Sequence, residues 1–269
     1  MTDPEAVAPE PRRLRVILLT DAIHLDLARE VVRAGDPGLA MDFVSGDADG
    51  ASFTVNDVPH QVQYLARPLN EDTLWRAIVP NVIWNMRSEP HPNHDAMVII
   101  ERDLGDHKLP ALLALTDVIH ALARKIPAHA IVWSPFAASP VTFFNERYEA
   151  LYAGGKLPVS LWIQFAEVPV DGKRMILTFG LEELGLYELE FEVTNDHFAL
   201  QMTVADILMS RMIARNEIIK DNSSDRFSGV SHEISVKISH RSSLRKKWGP
   251  VCFLDFTVDQ GGQPAKGVH

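Results

Sequence analysis

The side chains with the greatest chemical potential sit in one short stretch. Glu188, Glu190 and Glu192 alternate with Leu189, Phe191 and Val193, and Glu182 and Glu183 lie just before them. Carboxylates this close repel one another and could raise a pKa enough for acid–base work, or they could form an anionic face that docks a partner. No positioned histidine or nucleophile accompanies them in sequence, so the docking reading takes precedence and no catalytic residue is assigned. Trp133 and Trp162, with the Glu182-Glu183 turn, mark a candidate pocket between two halves of the chain; this supports the alternative, an enzyme or small-ligand module.

Two loops carry ion-binding residue types. His91-Pro92-Asn93-His94-Asp95 offers two imidazoles and a carboxylate, but the proline opposes a helix that would align them, and zinc needs a third or fourth fixed ligand. Asp47-Ala48-Asp49-Gly50 begins like a calcium loop, yet lacks its later oxygen positions and distal glutamate, so it reads as a turn. No metal and no cofactor is assigned. Arg241, Arg245, Lys246, Lys247 and Trp248 form a short basic cluster that could stack a base, and it reads as solvated loop or edge-strand charge. Cys252 lies among Val251, Phe253, Leu254 and Phe256 and reads as a core thiol, while His120 and His197 read as structural or surface histidines on helices. Nucleophile-elbow, phosphate-loop, dinucleotide-turn and His-Glu-x-x-His patterns do not occur.

The elements that must position these residues follow from periodicity. Leu14 to Leu19 is a strand, and a helix carrying Ile23, Leu27, Val31 and Val32 starts at Thr20-Asp21. Met41, Phe43, Phe53, Val55, Val62 and Tyr64 suggest a meander around the turn-rich segment 45–50. A short helix through Trp75 and Ile78 precedes a loop over 80–93, and Met97 to Ile100 is a strand. Leu112 to Ala123 presents a broad apolar helical face, followed by a strand at Ala130 to Trp133 and a helix with Phe143, Phe144, Tyr148 and Leu151 that ends at Gly154-Gly155. Val159, Leu161, Ile163 and Phe165 alternate as a strand, and Asp171-Gly172 turns a hairpin into Met175 to Phe179. Leu186 to Val193 follows as a strand with one greasy and one wet side, then a helix from Asn195 or Asp196 and strands near Ile234 to Ile238 and Val251 to Val258. Strands in runs without regular βαβ alternation point to an α+β fold of mostly antiparallel sheets with packed helices. The domain reading is a tail over 1–12, an N-terminal half over 13–155, a C-terminal half over 156–258 and a tail over 259–269.

The 269 residues carry 26 Lys+Arg against 36 Asp+Glu, a net charge of −10, and are 46% hydrophobic. Such a chain can bury a core without staples, and its acidity argues against a general nucleic-acid binder. A single cysteine allows no internal disulfide, and no apolar run approaches a membrane span, so a cytoplasmic protein is expected.

The segment Leu157-Pro158-Val159-Ser160-Leu161-Trp162-Ile163 and the run Leu177-Thr178-Phe179-Gly180-Leu181-Glu182-Glu183-Leu184-Gly185-Leu186-Tyr187-Glu188-Leu189-Glu190 together resemble the bacterial domain-of-unknown-function family numbered 4261. That family has a Pro-Val strand with Trp, a Thr-x-Gly-x-x-x-x-Gly-x-x-(Glu/Asp) turn and an acidic strand; the likeness covers about residues 130–256. It implies a bacterial protein without an established activity, with a toxin-immunity or secretion-associated setting as a lead. The function expected is a non-enzymatic protein-binding module that uses its acidic sheet face, with another protein as partner.

Overall fold

The computed structural model describes residues 13–22, 26–35, 41–88, 90–105, 108–133, 137–228, 232–244 and 249–260. The tail read over 1–12 and the basic segment 245–248 lie outside the described residues. In chain order come β1 (Arg13–Thr20), α1 (Leu27–Arg33), β2 (Met41–Gly46), β3 (Gly50–Val55), β4 (Val58–Leu65), α2 (Glu71–Ile78), α3 (Val82–Arg87), β5 (Ala96–Asp103), α4 (Lys108–Ala123) and β6 (Ala128–Trp133). Then follow β7 (Ala137–Pro140), α5 (Val141–Gly154), α6 (Val159–Trp162), β8 (Gln164–Val170), β9 (Lys173–Phe179), β10 (Leu189–Glu192), α7 (Phe198–Arg215), β11 (Ser223–Ser228), β12 (His232–Ser242) and β13 (Pro250–Gln260). The fold is α+β, with antiparallel sheets and packed helices in two sheet-based halves. One compact unit is Met1–Asn70 with Pro92–Ser134, the other Glu71–His91 with Pro135–His269. Each is built from two separated stretches, unlike the single division at 155/156 read from the sequence.

In the first unit the strands run β2-β3-β4-β5-β1-β6, antiparallel throughout. Alternation sorts their side chains: Val16, Leu18, Phe53, Val62 and Ile100 are buried, whereas Arg15, Gln61 and Gln63 are exposed. α4 packs on β5 through an apolar face that includes Leu115, Val118, Ile119 and Leu122, and its Thr116 Oγ1 donates to the Leu112 carbonyl at 2.7 Å. Asn56 and Asp57, at φ 49° and 64°, make the two-residue turn from β3 to β4, which the sequence reading passed over. α1 begins later than expected. Its cap is Asp26, whose Oδ1 accepts from the Arg29 amide at 3.3 Å; Thr20 stays in β1 and donates to the Pro127 carbonyl, and Asp21 pairs with His129.

The second unit's sheet runs β11-β12-β13-β10-β9-β8, with β10 and β13 parallel and all other neighbours antiparallel. Asp171 and Gly172, at φ 49° and 77°, form the expected hairpin turn between β8 and β9. α7 buries Val204, Leu208, Met209 and Met212 and stops where Asn216 turns left-handed at φ 53°. Two segments differ from the sequence reading. The loop expected over 80–93 contains α3, because Asn81 Oδ1 caps it by accepting from the Ile83 and Trp84 amides. The strand expected at Val159 to Phe165 starts only at Gln164: Val159 to Trp162 wind one helical turn after Pro158, closed by Ile163 N donating to the Val159 carbonyl at 2.9 Å. Four residues are too few for alternation to separate strand from helix when every apolar position ends up buried. At the far end β13 runs through Asp259 and Gln260, which the sequence reading gave to a tail.

Candidate functional site

The stretch from Thr178 to Glu188 folds back on its own carboxylate. Glu188 Oε2 accepts from Thr178 Oγ1 at 2.7 Å, and Oε1 accepts from the Gly180 amide at 2.8 Å and the Glu182 amide at 3.1 Å. A short 3₁₀ turn over Glu182–Leu184 ends at Gly185, left-handed at φ 69°. Gly180 is held at φ 122°, and a Cβ there would lie 2.9 Å from the Trp162 carbonyl oxygen and 3.0 Å from Ile163 Cδ1. Backbone strain and overlap therefore add. Gly180→Ala is expected to destabilise the second unit by about 2–4 kcal/mol, read as a shifted denaturant midpoint in a probe of that unit. The Thr-x-Gly-x-x-x-x-Gly-x-x-Glu pattern is thus a self-bonded turn.

The acidic strand is not the wet face expected of it. Glu188 is 3% and Glu190 0% exposed, and Leu189 and Phe191 between and after them are 0% exposed. β10 is a central strand, paired with β9 on one edge and β13 on the other, and because the alternating side chains Leu189, Glu190 and Phe191 are all buried, both of its faces are covered as well. Glu190 Oε1 accepts from Ser243 Oγ at 2.5 Å and the Leu244 amide bonds the same carboxylate at 3.2–3.3 Å, anchoring the chain after β12. Arg241 lies over the Phe253 ring, 3.0 Å from its centroid. Burial lowers the Arg241 pKa, and the nearby Glu190 and Asp255 charges oppose that shift. Of the five glutamates proposed for docking, Glu182 and Glu183 are exposed and Glu192 is half-buried with an ion pair to Lys173 at 2.6 Å.

The remaining sequence candidates separate. Trp133 on β6 is 2% exposed in the first unit, and Trp162 on α6 is 4% exposed in the second. His94 has both ring nitrogens engaged: Nε2 accepts from the Leu69 amide at 2.9 Å and Nδ1 meets the Pro92 carbonyl at 3.1 Å. His91 packs against the Trp75 ring. Among the described residues no group of three or more His, Cys, Asp or Glu side chains is placed to hold a metal ion. Asp47 Oδ1 accepts from the Asp49 and Gly50 amides, the local bonding of a turn. Cys252 is fully buried and burial pushes its thiol up to about 12, as a core position requires.

A surface feature that the sequence reading missed lies in the second unit. Val82, Asn85 and Met86 from α3, Glu167 and Pro169 from β8, Arg174 from β9 and Phe198 from α7 line an open groove of about 590 Å³. Met86 is 72% exposed. Val79, 51% exposed, is tied to the same place because Asn85 Nδ2 donates to its carbonyl at 2.9 Å. Glu167 receives Arg174 in two bonds, at 2.6 and 2.9 Å, and this hydrogen bonding holds the Glu167 carboxyl below its ordinary pKa. Burial raises the Asp206 carboxyl on α7, against the Arg147 and Lys156 charges, but Asp206 is not among the residues lining the groove. Four separate segments meet here, and one of them is the helix read as loop, so no single window of sequence could have shown the groove.

In comparisons with known families, curated proteins and solved structures, nothing matches this chain. No helix among the described residues is long and apolar enough to cross a membrane.

Proposed function

We propose that the chain is a non-enzymatic protein-binding module whose docking surface is the groove between α3 and the β8–β9 hairpin. The observation that carries this reading is Met86, 72% exposed on a groove whose lining also includes the apolar Val82, Pro169 and Phe198. An exposed, contiguous apolar patch with a polar rim suits an apolar anchor from a partner. The Glu167–Arg174 pair at its edge is internally neutralised, so the rim adds shape and hydrogen bonding more than net charge. The partner is a protein presenting apolar side chains in a basic surround, since a net charge of −10 speeds encounter with a cationic surface. A cytoplasmic setting, expected from the single cysteine and the lack of a membrane-length apolar run, and a bacterial toxin or secretion component as that partner, implied by the family resemblance, belong to the same proposal.

Met86→Asp tests the reading. The side chain is exposed, so stability is expected to stay within about 0.5 kcal/mol of wild type. A protein retained by the wild-type chain in affinity capture from a bacterial lysate is expected to bind the variant at least about tenfold more weakly. Equal retention by both proteins removes the groove from the function.

A small-ligand reading has one place in its favour. On the exposed face of the first unit's sheet, Ser52, Gln61, Gln63 and Glu101 line a depression of about 300 Å³ beside Arg15. Its lining is the more polar of the two, whereas ligand and partner sites are mostly apolar, and the groove of the second unit is favoured for that reason.

A further inference from the structure

The first unit buries a row of side chains that contains two unusual polar members. Strand register sets Phe53 opposite His60, and the pairing of Gln61 with Glu101 places His60 and Arg102 at the next facing positions of β4 and β5. Leu14 on β1 pairs with Arg102 and completes the row. All four are shielded: Phe53 and His60 are 1% exposed, Leu14 7% and Arg102 8%. The His60 ring stacks on Phe53 at 5.3 Å between centroids.

The hydrogen bonds already made define what is left over. His60 Nδ1 lies 2.9 Å from the Val58 carbonyl. A carbonyl oxygen can only accept, so Nδ1 carries the proton and Nε2 of the neutral ring is an acceptor. Arg102 Nη1 donates to the Ala111 carbonyl on α4 at 3.1 Å, and its Nε–H can only donate. Among the described residues, neither His60 Nε2 nor Arg102 Nε has a hydrogen-bond partner. Buried polar atoms without partners are rare in folded proteins.

We propose that His60 and Arg102 hold one hydroxyl group between them, that of a water molecule buried under α4. An anion would suit Arg102 but would face the lone pair of Nε2. A metal cation would suit Nε2 but would face the guanidinium. A hydroxyl satisfies both, accepting from Arg102 Nε–H and donating to His60 Nε2, and a buried water needs two to four such partners.

NMR of the full chain at neutral pH tests this. Nitrogen shifts are expected to show His60 protonated at Nδ1, and Arg102 Hε is expected to show a cross-peak to a long-lived water. His60→Phe keeps the ring stack and deletes the acceptor; in it the water cross-peak disappears and Arg102 Hε exchanges at least about tenfold faster. A His60 ring protonated at Nε2 overturns the proposal. So does an Arg102 Hε bonded to a protein carboxylate or carbonyl with no water cross-peak, and that result does not depend on the variant folding.

Discussion

Replacing Glu188 with alanine is expected to cost the second unit about 3–5 kcal/mol. Thr178 Oγ1, Gly180 N and Glu182 N all lose this acceptor in a setting where the carboxylate is 3% exposed, and a cavity is left behind. Glu188→Gln keeps one oxygen for the two amides and can turn its nitrogen toward Thr178, so it is expected to recover roughly half of the loss. Denaturant melts followed by a probe in the second unit measure both variants. A Glu188→Ala midpoint equal to wild type would show that the turn is held by other contacts. The same geometry changes what a charge-reversal experiment means. Reversing Glu188 and Glu190 places unpaired charge in the core, so any loss of partner capture would report unfolding and not docking.

Acid is expected to weaken the first unit through His60. Burial, with the Arg102 charge adding to it, lowers the His60 pKa from 6.5 to about 4, against the opposing effect of the Val58 carbonyl bond. The folded state therefore resists a proton that the unfolded chain accepts. Stability from this group is intact above pH 6.5, falls as pH drops from 6.5 toward 4, and levels off below that, with a total loss of about 3 kcal/mol. Carboxylates titrate nearby in pH, so the informative quantity is the difference between wild type and His60→Phe, which lacks this proton but keeps the stack on Phe53. Unfolding free energies at pH 7 and pH 4 give that difference, and the NMR titration of the His60 ring gives the midpoint directly. A midpoint near 6.5 would contradict the burial argument.

Most of the secondary structure was legible because local chemistry selects it. The Asp171-Gly172 hairpin needs two residues that tolerate positive φ, and both are present. The apolar faces of α4 and α7 repeat at helical spacing, and both helices form close to where that spacing predicts. Misreadings cluster where the local signal is short or shared. Asn81 is a good cap, but the six residues after it are too few for periodicity to reveal α3 among its Pro, Asn and His neighbours. The cap of α1 moved from Thr20-Asp21 to Asp26 because β1 continues through Thr20 and pairs with β5 there.

The candidate site was less legible, for a different reason. Alternation from Glu188 to Val193 correctly assigns two faces to a strand, but it cannot say what lies over each face. Glu190 is buried because the chain after β12, more than fifty positions away, supplies Ser243 and Leu244 to its carboxylate. The groove at Met86 likewise gathers residues from α3, β8, β9 and α7.

By itself, then, the order of residues determined the α+β class, most element types and the chemistry of the hairpin turn, because these depend on torsion preferences and spacing within a few residues. Tertiary structure alone decided which carboxylates are wet, which histidine resists protonation and which apolar side chains are left outside. Burial is a property of neighbours, and the neighbours of Glu188, Glu190, His60 and Met86 include groups brought in by separate strands and helices.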